Sequence, residues 1–138
     1  MKRIYVDTNV FLDFVFHRDP FYEDAKRVLA LANDDDKEVY ISALTLVNGV
    51  YLSRKYKYAE DEMRSTYLQL VRFIHVVDLT KENVVGSLTR GWRDYEDCTQ
   101  HQCALDIDAD CIVTRNVKDY RLSSIPVYEA HDYLREGR

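Results

Sequence analysis

The chain has 138 residues, 46% of them apolar, which suits a single domain over residues 1–138 with one real core and excludes general disorder. Its formal net charge is −5, from 24 acidic against 19 basic side chains, so nucleic-acid contact would need a local basic patch. No apolar run approaches the roughly 18 residues of a membrane span, the N-terminus lacks a signal-peptide pattern, and three cysteines make no disulfide framework. No membrane association is expected, and the reducing cytoplasm is the expected setting.

Ile4, Tyr5 and Val6 read as a short buried strand, and Asp7-Thr8-Asn9 closes it with side chains suited to a strand end and a helix N-cap. Val10, Phe11, Phe14 and Val15 continue as a helical stripe. Asp19 and Pro20 then read as the cap and first position of a second helix with Tyr22, Ala25, Val28, Leu29, Leu31 and Ala32 inward. The acidic turn Asn33–Asp36 reads as a solvated loop.

Glu38–Ser42 is a second strand. Ser42 caps a helix over Ala43–Tyr56 that is expected to turn Leu44, Val47, Tyr51 and Leu52 inward. Glu60–Ile74 gives another helix, His75–Leu79 a third strand, and Thr80 the cap of a helix from Lys81 towards Arg90. A helix over Arg93–Asp108 is expected to bury Tyr95, Cys98, Gln102 and Leu105. Cys111–Thr114 and Pro126–Tyr128 complete the strands, and Glu129–Arg135 a last helix. This alternation predicts an α/β fold, a three-layer α/β/α sandwich with a central, mostly parallel sheet.

In such a sheet the loops after the strands converge on one edge, where ligands bind. Three polar sets fall there: Asp7-Thr8-Asn9 after strand one, Thr114-Arg115-Asn116 with Asp119 after strand four, and Asp94 with Asp97 at the start of the helix entering strand four. Carboxylates from distant segments suit a hard divalent cation, Mg²⁺ or Mn²⁺, whose chemistry serves phosphodiester displacement. Each acid alone is equally well a cap or a surface charge. Cys98, His101, Cys103 and Cys111 lack zinc-ligand spacing and read as buried small residues around a polar histidine. Ser53-Arg54-Lys55-Tyr56-Lys57-Tyr58 mixes cations with aromatics; it can grip RNA or simply complement a helix C-terminus, and the second reading is preferred. Arg115 is the better single phosphate contact. An aspartate after strand one is also found in haloacid-dehalogenase-type phosphatases, but the second aspartate they need two residues on is Asn9 here.

The motifs Asp7-Thr-Asn-Val-Phe-Leu-Asp13, Ile41-Ser-Ala-Leu-Thr-Leu46, Asp94-Tyr-Glu-Asp-Cys98 and Ile112-Val-Thr-Arg-Asn116-Val-Lys-Asp-Tyr120 run in order over almost the whole chain. Together they resemble the PIN-domain family, metal-dependent ribonucleases that include the VapC toxins of bacterial toxin–antitoxin pairs. The resemblance implies a PIN-like fold and a metal-dependent endoribonuclease. It makes Asp7 and Asp97 the leading catalytic acids, with Asp94 and Asp119 beside them and Asp7, Asp97 and Asp94 as the metal ligands. Thr8, Asn48, Thr114 and Asn116 would be supporting residues, and Arg115, Arg54 and Lys55 RNA contacts. The glutamate usual at the end of the second motif is replaced by Asn48, and the aspartate often found after Thr-Arg by Asn116, a pattern that resembles an asparagine-bearing subgroup. Asparagine offers a carbonyl oxygen but neither charge nor a base. The alternative is therefore a catalytically silent PIN-like domain that binds RNA or protein. The implied partners are an RNA substrate, a small antitoxin protein and a second copy of the chain in a homodimer.

Overall fold

The computed structural model describes the backbone of residues 1–137 and the side chains of residues 1–135. Five strands, β1 (Lys2–Val6), β2 (Lys37–Ser42), β3 (His75–Val77), β4 (Cys111–Val113) and β5 (Val127–Tyr128), form one sheet in the order β3-β2-β1-β4-β5. All four pairings are parallel, which makes the sheet fully rather than mostly parallel. Among the described residues the α-helices are α1 (Thr8–Val15), α2 (Tyr22–Ala30), α3 (Ala43–Lys55), α4 (Glu60–Leu70), α5 (Lys81–Ser87), α6 (Tyr95–Asp106) and a short α7 (Ala130–Asp132) that runs into a π-helical turn over Tyr133–Gly137. None is long and apolar enough to cross a membrane.

The period-two geometry of β1 splits the core. Ile4 and Val6 face the cluster built with Val10, Phe11, Val28 and Leu29, whereas Tyr5 faces the other cluster with Cys103, Ala104, Ile112 and Tyr120. Both faces of the central strands are thus covered, as parallel sheets require. The chain runs from β1 outwards to β2 and β3, then returns to place β4 on the opposite side of β1. This reversal puts the switch point of the sheet between β1 and β4, where Val6 pairs with Val113. Asp7 and Thr114 are the next residue on each strand.

Several boundaries and faces differ from the sequence reading. Asp19 and Pro20, joined by a cis peptide bond, sit in the turn ahead of α2, whose N-cap is Phe21. Leu31 and Ala32 lie in a 3-10 turn beyond α2, and β3 stops at Val77. The larger correction concerns α3. Val47 and Tyr51 are 65% and 64% exposed, because the helix buries Thr45, Gly49 and Ser53 instead. Those residues repeat every four positions and their smallness lets α3 approach α1 and α4. Thr45 bonds the Thr8 hydroxyl, an added Cβ at Gly49 would meet the Tyr67 hydroxyl at 3.0 Å, and the Ser53 hydroxyl contacts that same hydroxyl at 2.8 Å. On α6 the buried face runs through Asp97, Gln100, His101 and Ala104, leaving Tyr95 and Leu105 largely exposed.

Candidate active site

Asp7 is the N-cap of α1 and is 2% exposed. Its Oδ1 accepts the Thr8 amide at 2.7 Å, and its Oδ2 accepts the Thr114 hydroxyl from across the switch point, also at 2.7 Å. Burial raises its pKa, against the lowering effect of those two hydrogen bonds. Asn9 ties the same two segments together: its Oδ1 accepts the Arg115 amide at 3.2 Å. Thr114 Oγ1 also receives the Asn116 amide at 3.0 Å, so the loop after β4 folds back over the end of its own strand.

Asp94 caps α6, its Oδ1 accepting the Asp97 amide at 2.9 Å. The 3-10 turn Val117–Tyr120 after β4, closed by the Asp119 amide on the Asn116 carbonyl, brings Asp119 to the same place. Asp94, Asp97 and Asp119 each offer a carboxylate oxygen within 4.8 Å of the others'. Asp97 is 4% exposed, and its buried Oδ2 has no hydrogen-bond partner among the described residues. Its pKa is pushed up to about 8, by burial first and then by the charges of Asp7, Asp94, Asp119 and Glu96. Asp7 stands outside the trio of closest oxygens but near enough for its charge to act on Asp97.

An unpartnered carboxylate oxygen amid like charges fits a divalent cation, since oxygen donors and excess negative charge are what such an ion takes. The residues present therefore suit a hard metal.

Thr8 and Thr114 both border Asp7 directly. Asn48 lies one turn beyond Thr45 on α3, half-buried and without a side-chain hydrogen bond among the described residues; Asn116 is exposed at the rim. Arg54 and Lys55 are exposed at the far end of α3, about 14 Å along its axis from Thr45 at 1.5 Å per residue, so the fold does not bring them to the acids.

Arg115 is already engaged. Its Nε lies 2.9 Å from Asp13 Oδ2, its Nη2 donates to Oδ1 at 3.1 Å, and its guanidinium sits 4.1 Å above the Phe21 ring. Asp13, 1% exposed, also pairs with Arg18 at 2.9 Å, and Arg18 Nη2 donates to the Asn9 carbonyl at 3.1 Å. Asp13 thus clamps the β4 loop onto α1. Asp13→Ala is expected to destabilise the protein by about 2 kcal/mol, below the usual cost of breaking a buried pair because both arginines reach solvent. Chemical denaturation measures this; an unchanged midpoint would show that the clamp carries no stability.

Four residues near the acids carry no role in the sequence reading. Glu96 stands in the Asp94-Tyr-Glu-Asp97 run, and Asp13 is an acid inside an apolar helical stripe; each had a visible signal. Tyr120, whose buried hydroxyl lies beside Asp7 and Asp97 without a well-aligned acceptor among the described residues, and Gln100 had none.

The PIN domain family model matches residues 3–118. The chain belongs to the PIN domain family. Among solved structures, this PIN domain is similar to DNA-bound VapBC from Salmonella typhimurium, at 18% identity and a TM-score of 0.70, over 94% of this chain and 99% of that one. It is similar to a toxin–antitoxin complex from Klebsiella pneumoniae at 21% identity and a TM-score of 0.66, over 92% and 97%. It also resembles VapC20 of Mycobacterium tuberculosis, described as a sarcin–ricin loop cleaving toxin, at 16% identity and a TM-score of 0.61, over 79% and 86%. No curated protein matches the sequence. At these identities the neighbours establish the PIN fold, a central parallel sheet with flanking helices.

Proposed function

We propose that this PIN domain is a Mg²⁺- or Mn²⁺-dependent endoribonuclease, the toxin of a toxin–antitoxin pair. The observation that carries the reading is Asp97: a buried carboxylate with a free oxygen, its pKa pushed up to about 8 by burial first and by the neighbouring acids after it. Structural likeness to toxin–antitoxin proteins, one of them described as cleaving the sarcin–ricin loop, supports RNA as the substrate.

Asp7, Asp94 and Asp97 would hold the ion, with Asp119 completing the acidic wall. When bound, a divalent ion supplies neutralisation of the charge that develops on a phosphodiester under attack by water. Thr8 and Thr114 fix both oxygens of Asp7, so its orientation is set before substrate arrives. Asn48 and Asn116 can contribute only carbonyl oxygens or amide donors, which implies weaker metal binding than an all-carboxylate site. Arg115 would meet RNA only at the expense of its pairing with Asp13, and Arg54 and Lys55 only on strands long enough to reach the end of α3.

The apolar side chains that α3 and α4 leave in solvent, Val47, Tyr51 and Leu68, line adjoining clefts with the half-buried Leu46 and Val50 and with Arg54 and Arg64. This exposed face supports a protein partner, an antitoxin or the second copy of a homodimer.

The test is cleavage of single-stranded RNA by purified protein. Activity is expected with Mn²⁺ or Mg²⁺, none in EDTA, and a loss of at least about a hundredfold in Asp7→Asn. Cleavage that survives Asp7→Asn would assign the activity elsewhere. RNA binding without cleavage at any metal concentration would favour the silent binding domain, the reading in which Asn48 marks a lost acid.

A further inference from the structure

One turn along α6 from Asp97, His101 forms the floor of a second cleft of about 680 Å³, lined by Arg90, Trp92, Gln102, Leu122 and Ser124. Four residues separate Asp97 from His101, so the two share a side of the helix about 6 Å apart along its axis. Trp92 rests on the His101 ring at a centroid distance of 4.9 Å and meets the Tyr120 ring edge-on at 5.5 Å. Tyr120 is the residue whose hydroxyl lies beside Asp7 and Asp97. Tyr120, packed beneath Trp92, thus connects the cleft to the acidic site.

The polar groups of the cleft are mostly donors. His101 Nε2 accepts the Ser124 amide at 3.3 Å, which leaves the proton of the neutral ring on Nδ1. That nitrogen faces the Gln102 side-chain amide at 3.5 Å, a long contact for either orientation of the amide. Arg90 is exposed and has no ion pair among the described residues, although acidic side chains outnumber basic ones in the chain. The Trp92 indole N–H likewise has no acceptor among them. An exposed guanidinium without an ion pair among the described residues, an indole N–H and a half-buried tryptophan ring thus meet in one cleft. A π surface, a cation and neutral donors together are what a nucleotide takes: stacking for the base, charge for the phosphate.

We propose that the cleft of Arg90, Trp92, His101 and Gln102 is a nucleotide subsite that stacks the base next to the cleaved phosphodiester on Trp92 and holds its phosphate with Arg90. This rests on the ribonuclease reading and adds where the substrate strand continues past the acids. It also gives the acidic protein the local cation that RNA contact requires.

Trp92 is the only tryptophan in the chain, so its fluorescence reports on this cleft alone. The full-length protein is titrated in EDTA, where cleavage is stopped, with a short single-stranded RNA. Saturable quenching is expected, with affinity about tenfold weaker in Arg90→Ala and a comparable loss in Trp92→Leu followed by anisotropy of labelled RNA. An abasic ribose–phosphate strand should bind without the wild-type quench. Arg90 is exposed, so its variant keeps the test open even if Trp92→Leu fails to fold. RNA that binds with unchanged Trp92 emission and equal affinity in Arg90→Ala would overturn the subsite, and metal-dependent cleavage of that RNA would show that the ribonuclease reading survives. Neither binding nor cleavage of RNA would remove both.

Discussion

Asparagine in place of Asp97 is expected to raise the Tm of the metal-free protein while abolishing RNA cleavage. The carboxyl is 4% exposed and its pKa is pushed up to about 8, through burial first and the charges of Asp7, Asp94, Asp119 and Glu96 after it. In the unfolded chain the same group titrates at about 3.9. Between about pH 4 and pH 8 the folded state therefore holds a proton that the unfolded state has lost, and stability falls as pH rises through that window. Above it, the native state carries a buried charge with no partner on Oδ2. Asparagine removes that charge, and its amide can donate to the surrounding carboxylates. A gain of about 1–2 kcal/mol at pH 8 is expected, worth about 3–8 °C in Tm for a chain of this size.

The difference between wild type and Asp97→Asn should shrink towards pH 5, because Asp97 is then protonated and equally uncharged. Mn²⁺ should stabilise the wild type at pH 8 and leave the variant unmoved, since a ligand that binds only the native state shifts its stability by mass action. Thermal melts at pH 5 and 8, each in EDTA and in Mn²⁺, measure all of this. An Asp97→Asn protein less stable than wild type at pH 8 in EDTA would show that the carboxylate is satisfied without an ion, and would remove the main support for a metal site.

Where local rules act alone, the sequence is a good guide to this fold. The apolar run that ends at Asp7, the Ser42 cap of α3 and the Thr80 cap of α5 all follow from short-range chemistry: Ser42 and Thr80 accept the third helix amide, and Asp7 accepts the first. Helix faces were less legible. The inward stripe of α3 is Thr45, Gly49 and Ser53, so periodicity weighted by hydrophobicity points the helix the wrong way. Close helix approach selected small residues there, and solvent was left with Val47 and Tyr51.

The acidic site divides in the same way. Asp7 and Asp94 are caps, and caps have local signatures. The meeting of Asp119 with Asp94 and Asp97 depends on a 3-10 turn after β4 that no periodic pattern announces. Asp13 and Gln100 are buried polar groups whose partners lie up to 102 residues away in sequence, and only the folded chain reveals which polar groups must satisfy one another.

Gln100 is where that long-range satisfaction should be most costly to break. It is fully buried on α6; its Oε1 accepts the Tyr5 hydroxyl in a short hydrogen bond, and its Nε2 donates to Thr8 Oγ1 at 3.0 Å. The Thr8 hydroxyl is shared with Thr45 Oγ1 at 2.7 Å, which in turn lies 3.3 Å from Ser42 Oγ. One side chain thus joins β1, α1 and α6, with α3 held through the Thr8 hydroxyl next to Asp7. Gln100→Leu keeps the volume but withdraws partners from the Tyr5 and Thr8 hydroxyls, at a cost of about 3 kcal/mol, because each buried group left short costs about 1–3 kcal/mol. Tyr5→Phe alone should cost only about 1 kcal/mol, the ordinary net worth of one hydrogen bond. Combined with Gln100→Leu it removes the stranded hydroxyl, so the double variant should be more stable than the Gln100→Leu single, with a coupling of about 2 kcal/mol. Urea denaturation of the four proteins closes the cycle. Additive losses would mean that the Tyr5 hydroxyl has another partner, and that the network next to Asp7 is not held together through Gln100.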